Sequence, residues 1–216
     1  MTSYMDGFYK RLEELAVVPV VVLDRVEDAV PLARALSNGG LPSAEVTFRT
    51  QAAAASIAAI AEACPETLVG AGTILSVDQA EAAVVAGARF IVSPGHDMGV
   101  VRWCLERKVP IIPAGVTPTE VTELVNASID VTKFFPAALY GGLPAIQALA
   151  SVFVGHRFMP TGGVNADNLA EYLADPAVIA CGGTWVAKPA MIAAGRFDEV
   201  ERLSREAAAT ARRVRG

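Results

Sequence analysis

The chain alternates short, almost wholly apolar runs with longer stretches in which apolar residues recur every three to four positions. Val17 to Leu23 is a nearly unbroken β-branched run, as a strand buried on both faces requires, and Glu27 to Ser37 follows as a helix ended by Asn38-Gly39-Gly40. The same unit recurs. Strands are predicted at Ala44–Phe48, Leu68–Gly72, Phe90–Ser93 and Ile111–Ala114, each followed by a helix, at Gln51–Cys64, Ser76–Ala86, Met98–Arg107 and Pro118–Asn126. Ser76 with Gln79 forms a capping box, Gly87 stops that helix, and Thr117 before Pro118 marks an N-cap with proline at the first helical position. A strand through Asp130–Pro136 leads past Gly141-Gly142 into a helix at Pro144–Ala150. Arg157–Thr161 precedes a helix at Ala166–Leu173, and Val178–Cys181 precedes a last helix at Asp198–Arg212. Strict alternation implies parallel strands joined by right-handed crossovers, and eight units close into an α/β fold of the (β/α)8 TIM-barrel type, one domain over residues 1–216. Ahead of it, Ser3–Leu15 has Phe8, Leu12 and Leu15 near one face, a short amphipathic helix suited to covering an open barrel end. The competing layout, a doubly wound open sheet, would carry Gly-x-Gly-x-x-Gly after its first strand, and this chain does not.

Composition narrows the function. A chain of 216 residues that is 53% hydrophobic has a substantial core, and no apolar run reaches the roughly 18 residues of a membrane-spanning helix. Met1 to Lys10 has no basic region followed by an apolar stretch, so a cytoplasmic location is expected. Cys64, Cys104 and Cys181 are odd in number and widely spaced, which suits neither disulfides nor a zinc site, and they read as small core residues. With His96 and His156 as the only histidines, a metal centre of several imidazoles is not expected. A net charge of −5 offers nucleic acid no general attraction, and Arg212, Arg213 and Arg215 complement the end of a helix.

The most unusual stretch is Asp130 to Pro136, Asp-Val-Thr-Lys-Phe-Phe-Pro. Strand alternation puts Val131, Lys133 and Phe135 on one face and Thr132 and Phe134 on the other. Lys133 thus emerges among bulky apolar neighbours, where loss of hydration favours the free amine that attacks a carbonyl to form a Schiff base. In a barrel the reactive groups gather at the C-terminal ends of strands, and other unusual residues lie there too. Glu45 and Arg49 share a face by the period of two, either to close the strand end as an ion pair or to serve acid/base chemistry beside the lysine. Gly70-Ala71-Gly72-Thr73 allows close backbone approach and offers a hydroxyl, whereas Ser93-Pro94-Gly95 is by itself a turn and His96 a loop histidine. Thr161-Gly162-Gly163 and Gly182-Gly183-Thr184 follow the last two strands, where barrels commonly bind phosphate through backbone amides.

Seven segments in order, Val18 to Val20, Glu45 to Thr50, Gly70 to Thr73, Ser93 to Gly95, Lys133 to Ala137, Pro160 to Gly163 and Gly182 to Trp185, give the chain its resemblance to the bacterial 2-keto-3-deoxy-6-phosphogluconate aldolase family, whose members often also cleave 4-hydroxy-2-oxoglutarate. The resemblance spans nearly the whole chain. It implies a class I aldolase, with no metal or other cofactor, that releases pyruvate and D-glyceraldehyde 3-phosphate and assembles as a homotrimer, with no nucleic-acid or membrane partner. By the family pattern Lys133 is the Schiff-base lysine, Glu45 moves protons through water, and Arg49 and Thr73 hold the pyruvate carboxylate. Pro94 and Phe135 line the pocket, Thr161 lies near the reacting centre, and Gly162, Gly163 and Thr184 form the phosphate site. The chain departs from the pattern at Thr184, where serine is expected, and in the apolar loop Ala137-Ala138-Leu139-Tyr140. Both departures bear on substrate preference. The competing functions are a phosphate-binding barrel isomerase or epimerase using Glu45 as a simple base, and a non-catalytic phosphate-ligand sensor.

Overall fold

The apolar runs become strands that are dry on both faces: of their residues only Leu68 and Arg157, each first in its strand, are partly exposed. A computed structural model describes residues 3–216. Its strands are β1 (Val17–Val21), β2 (Ser43–Thr47), β3 (Leu68–Gly72), β4 (Ile91–Val92), β5 (Ile111–Ile112), β6 (Val131–Phe134), β7 (Arg157–Pro160) and β8 (Cys181–Gly183). Its helices are α1 (Ser3–Leu15), α2 (Ala29–Asn38), α3 (Ala53–Ala63), α4 (Val77–Val85), α5 (Met98–Glu106), α6 (Pro118–Asn126), α7 (Gly142–Val152), α8 (Leu169–Ala174), α9 (Pro189–Ala193) and α10 (Phe197–Arg215). The strands pair in parallel in the order β5-β4-β3-β2-β1-β8 and, separately, β6-β7. Single bridges, Ala114 to Lys133 on one side and Phe158 to Val178 and Thr161 to Gly182 on the other, join the two groups into a ring. The expected (β/α)8 barrel is therefore present.

Alternation along the strands makes two cores. Val17, Val46, Ile91, Ile111, Phe134 and Phe158 face the helices, while Val18, Val92, Ile112, Val131 and Met159 meet inside the ring. Met5, Phe8, Tyr9 and Leu12 of α1 belong to the inner cluster, with Phe8 stacked at a tilt on Phe90, centroids 5.4 Å apart. α1 thus plugs the N-terminal end of the barrel with apolar side chains, and the polar residues of the interior are left to the opposite end.

Several boundaries move, each for a local reason. β1 stops at Val21, and residues from Val26 to Asp28 form a 3-10 turn before α2. α8 begins at Leu169, because Asn165 and Asn168 spend their side chains on the turn before it. The Ser76 capping box is half made: Ser76 accepts from the Gln79 amide, but the Gln79 side chain turns to the Leu75 amide. Thr117 and Glu120 form the full box. The eighth strand is Cys181–Gly183, not Val178–Cys181. Arg215 donates to the carbonyls of Val178, Ile179, Leu173 and Glu13, seating the chain ahead of β8, and pairing to β1 begins only at Cys181. Arg215 therefore ties the terminal helix to the barrel floor rather than merely complementing a helix end. Gly182 and Gly183, expected in the turn, are strand residues: a Cβ on Gly182 would collide with the Thr161 hydroxyl, and one on Gly183 with the Trp185 ring.

Outside the barrel, Thr132 on the helix-facing side of β6 bonds to Nε2 of buried His156 at 2.7 Å, and the His156 ring stands edge-on to Phe158. Burial pushes the His156 pKa down to about 4, so the native ring is neutral and shares one hydrogen bond with the Thr132 hydroxyl. The unfolded chain takes up this proton below the ordinary value near 6.5, whereas the folded chain resists until about 4. Stability from this group is thus complete above the unfolded value and is lost as pH falls between the two. His156→Gln should flatten the fall in unfolding free energy between neutral pH and pH near 4 by about 1 to 3 kcal/mol, measured by urea titration at both pH values. Parallel pH dependence in the two proteins would show that the ring does not titrate this way.

Candidate active site

Lys133 and Glu45 meet inside the C-terminal half of the barrel. Alternation on β2 sends Ala44 and Val46 outward and Glu45 inward, and alternation on β6 does the same for Lys133 against Thr132 and Phe134. Lys133 Nζ donates to Glu45 Oε1 at 3.1 Å, with the side chains 6% and 1% exposed. The ammonium also lies 5.3 Å from the centre of the Phe135 ring. Glu45 Oε2 has no hydrogen-bond partner among the described residues. Gly72, two residues along the adjacent register on β3, makes this possible: a Cβ there would overlap the Glu45 carboxylate. Glu45 pairs with Lys133 and not with Arg49, so the reading of Glu45 and Arg49 as an ion pair is overturned.

Arg49 lies beyond the end of β2, in a turn, and is exposed; its Nε donates to the Thr73 hydroxyl at 3.4 Å. Thr73, partly buried, holds φ at +61°, a left-handed conformation uncommon outside glycine, and so turns the chain just past β3. A guanidinium and a hydroxyl are thus placed side by side at the mouth, a donor pair suited to a carboxylate. Pro94 and Phe135 are partly buried, past β4 and β6 respectively, and Thr161 is buried after β7. Gly162 and Gly163 hold φ at +89° and +90°, and the Gly163 carbonyl is fixed by the side-chain amides of Asn165 and Asn168. Thr184 is exposed after β8, and Thr161 bridges to Gly182 across the gap. Glu45 and Lys133 therefore point inward from within β2 and β6, and the other residues expected at the site lie past the C-terminal ends of their strands.

Two features escaped sequence reading. His96, taken as a loop histidine, is anchored on both ring nitrogens, to the Ala114 carbonyl and the Glu123 carboxylate. Glu123 sits on a polar helix face with nothing in its local pattern to distinguish it. A concavity of about 580 Å³ lies at the other end of the barrel between α1, α8 and α10, lined by Glu13, Asp175 and Arg212 among others, and holds no buried nucleophile. The mouth, with its desolvated amine and carboxylate, has the stronger chemical case. The three cysteines are buried and free, and burial pushes Cys104 and Cys181 up to about 12, so those two are not nucleophiles at neutral pH. Among the described residues no three His, Cys, Asp or Glu side chains converge as metal ligands, and no helix is long and apolar enough to cross a membrane.

A barrel with a buried lysine–carboxylate pair toward its C-terminal mouth has the groups that Schiff-base chemistry uses. The family described as "Aldolase: KDPG and KHG aldolase" matches residues 8–203. A protein of Treponema pallidum named 2-dehydro-3-deoxy-phosphogluconate aldolase is 52% identical over 94% of this chain and 96% of its own. The KHG/KDPG aldolase of Escherichia coli K12 is 41% identical over 88% of this chain and 90% of its own. Among solved structures, the KDPG aldolase of Legionella pneumophila with pyruvate captured as a covalent carbinolamine superposes with a TM-score of 0.88 at 35% identity, covering 91% of this chain and 96% of that one. The chain belongs to the KDPG and KHG aldolase family.

A buried ion pair is costly to break from one side only, because the remaining charge loses its partner in a dry site. Glu45→Leu and Lys133→Met should each destabilise the fold by about 3 to 5 kcal/mol, and the Glu45→Leu/Lys133→Met double variant should recover much of the loss. A double-mutant cycle of urea unfolding measures the coupling. Additive losses would mean that the two groups do not interact in solution.

Proposed function

We propose that the chain is a class I aldolase that cleaves 2-keto-3-deoxy-6-phosphogluconate to pyruvate and D-glyceraldehyde 3-phosphate through a Schiff base on Lys133. The observation that carries this reading is the 3.1 Å contact between the buried Lys133 amine and Glu45. The isomerase alternative requires a base but no lysine buried beside it, and the sensor requires neither.

The groups account for each proton. Glu45 takes a proton from the Lys133 ammonium, and the free amine adds to the C2 carbonyl. After proton transfer from nitrogen to oxygen, the carbinolamine hydroxyl leaves as water with the proton returned by Glu45, giving the iminium. The carboxylate then removes the C4 hydroxyl proton. The electron pair of the C3–C4 bond moves into the iminium, giving an enamine and the free aldehyde. Glu45 returns that proton to C3, and water hydrolyses the pyruvyl iminium, releasing pyruvate and restoring the Lys133 ammonium beside the Glu45 carboxylate. Proton transfers beyond direct reach pass through water. Arg49 and Thr73 hold the C1 carboxylate so that the breaking bond lies along the iminium π system, Pro94 and Phe135 confine the pyruvyl half, and Thr161 lies close to the reacting carbons. Amides of Gly162 and Gly163 and the hydroxyl of Thr184 receive the distal phosphate. 4-Hydroxy-2-oxoglutarate shares the reacting atoms and is a second substrate, which the KHG/KDPG name of the E. coli relative supports. The same reading carries a homotrimer in the cytoplasm, and light scattering tests the assembly.

Borohydride added with pyruvate should inactivate the enzyme irreversibly and leave one adduct on Lys133, located by peptide mapping. Only Lys10, Lys108 and Lys188 compete for it, so a modification on any of these would end the assignment. Glu45→Gln should still be trapped, while exchange of the pyruvate methyl protons with solvent slows by about 10² or more. Exchange at the wild-type rate would remove Glu45 from proton transfer. Thr184→Ala should lower kcat/KM for the phosphorylated substrate about tenfold, the loss of one hydrogen bond to a charged group, and spare its non-phosphorylated counterpart. Equal losses on both substrates would place the phosphate elsewhere.

A further inference from the structure

His96 stands between the loop after β4 and the strand that carries the lysine. Its Nδ1 lies 3.0 Å from the Ala114 carbonyl and its Nε2 3.1 Å from Glu123 Oε2. A carbonyl and a carboxylate only accept, so both contacts are hydrogen bonds at once only when each ring nitrogen carries a proton. Ala114 is in turn enclosed by the catalytic region. Its amide donates to the Gly95 carbonyl at 3.1 Å, which places it against the Pro94 turn. The flanking groups bind Lys133's own backbone, with the Lys133 amide donating to Pro113 at 2.9 Å and the Gly115 amide to Lys133 at 3.1 Å. Glu123 belongs to α6, whose first turn is fixed by Glu120 through Val116 and Thr117.

We propose that His96, as an imidazolium, is a positioning residue for the aldol reaction: it clamps the Pro94 turn and the Ala114 backbone beside Lys133 to helix α6, and the pocket wall loosens when the ring loses its proton. The inference rests on Lys133 being the Schiff-base lysine. The charged groups acting on the ring are Glu123 and Glu120 of α6, while Asp97, next in its own loop, is occupied as the N-cap of α5. Burial is the largest single influence and opposes the charge. The bonds to Glu123 and Ala114 and the charges of Glu123 and Glu120 together outweigh it and hold the ring above its ordinary value. The clamp is therefore closed on the acid side of that titration and opens as pH rises through it.

The test pairs kinetics with NMR. The chain has two histidines, so one variant assigns both ring titrations. From about pH 6 to about pH 9, kcat/KM for cleavage and the rate of borohydride trapping with pyruvate should fall by about five- to tenfold, with a midpoint equal to that of the His96 ring. In His96→Asn the step should be absent and the lower rate should hold throughout. In Glu123→Gln, a half-exposed position where folding is safe, the ring titration and the kinetic step should move together to lower pH. A wild-type rate that is constant across the ring titration, a step that survives in His96→Asn, or a Glu123→Gln protein whose ring titration moves while its step does not would each overturn the proposal. Trapping on Lys133 without any pH step overturns the clamp alone, and absence of trapping at every pH overturns the lysine assignment with it.

Discussion

A lysine and a glutamate share one hydrogen bond inside a closed ring of strands, and much of the surrounding sequence serves to hold them there. Withdrawing two charges from water costs several kcal/mol for each ion, so the pair is not what stabilises the fold. The stabilisation comes from the two apolar cores on either side of the strands, the inner one sealed by Phe8, Tyr9 and Leu12 of α1. This division lets one end of the barrel be built for packing and the other for chemistry. The same dryness strengthens every electrostatic interaction at the mouth, including the 3.1 Å bond between the amine and the carboxylate.

Rigidity around that pair comes from backbone bonds more than from side chains. Lys133 is held through Pro113 and Gly115, and Ala114 between them is held by Gly95 and His96. The ring is thinly joined here, since β5 and β6 are linked by a single bridge. A barrel closed by long ladders everywhere would need no such reinforcement. At the opposite seam the Thr161–Gly182 bridge and the Arg215 contacts with Val178 and Ile179 do comparable work.

Much of this was legible in the residues. Strand and helix periodicity was enough for the eight units, and the odd placement of Lys133 among Val131 and Phe135 pointed to the mouth. Periodicity failed where side chains from distant segments decide the outcome. Val178 and Ile179 are apolar and β-branched and read as strand, yet Arg215, far along the chain, takes their carbonyls. Gly182 and Gly183 read as a turn because glycine usually marks one, whereas here they leave room for Thr161 and Trp185. Arg49 reads as a strand-mate of Glu45 by the period of two, but the chain turns before reaching it. Neither the Lys133–Glu45 contact nor the His96–Glu123 contact has a local signature, since each joins residues whose meeting depends on the whole ring being closed.

The empty space beside Glu45 has an evolutionary side. Gly72 is required only because the carboxylate occupies the volume its side chain would fill, and Gly182 stands in the same relation to Thr161. Each pair divides one volume between two strands. A lineage that lost the acid at position 45 would release Gly72 to accept larger residues, and once it had done so the acid could not return without reversing that change first. The buried carboxylate is thus protected in descent by a residue with no chemistry of its own, and its loss would tend to be a one-way step.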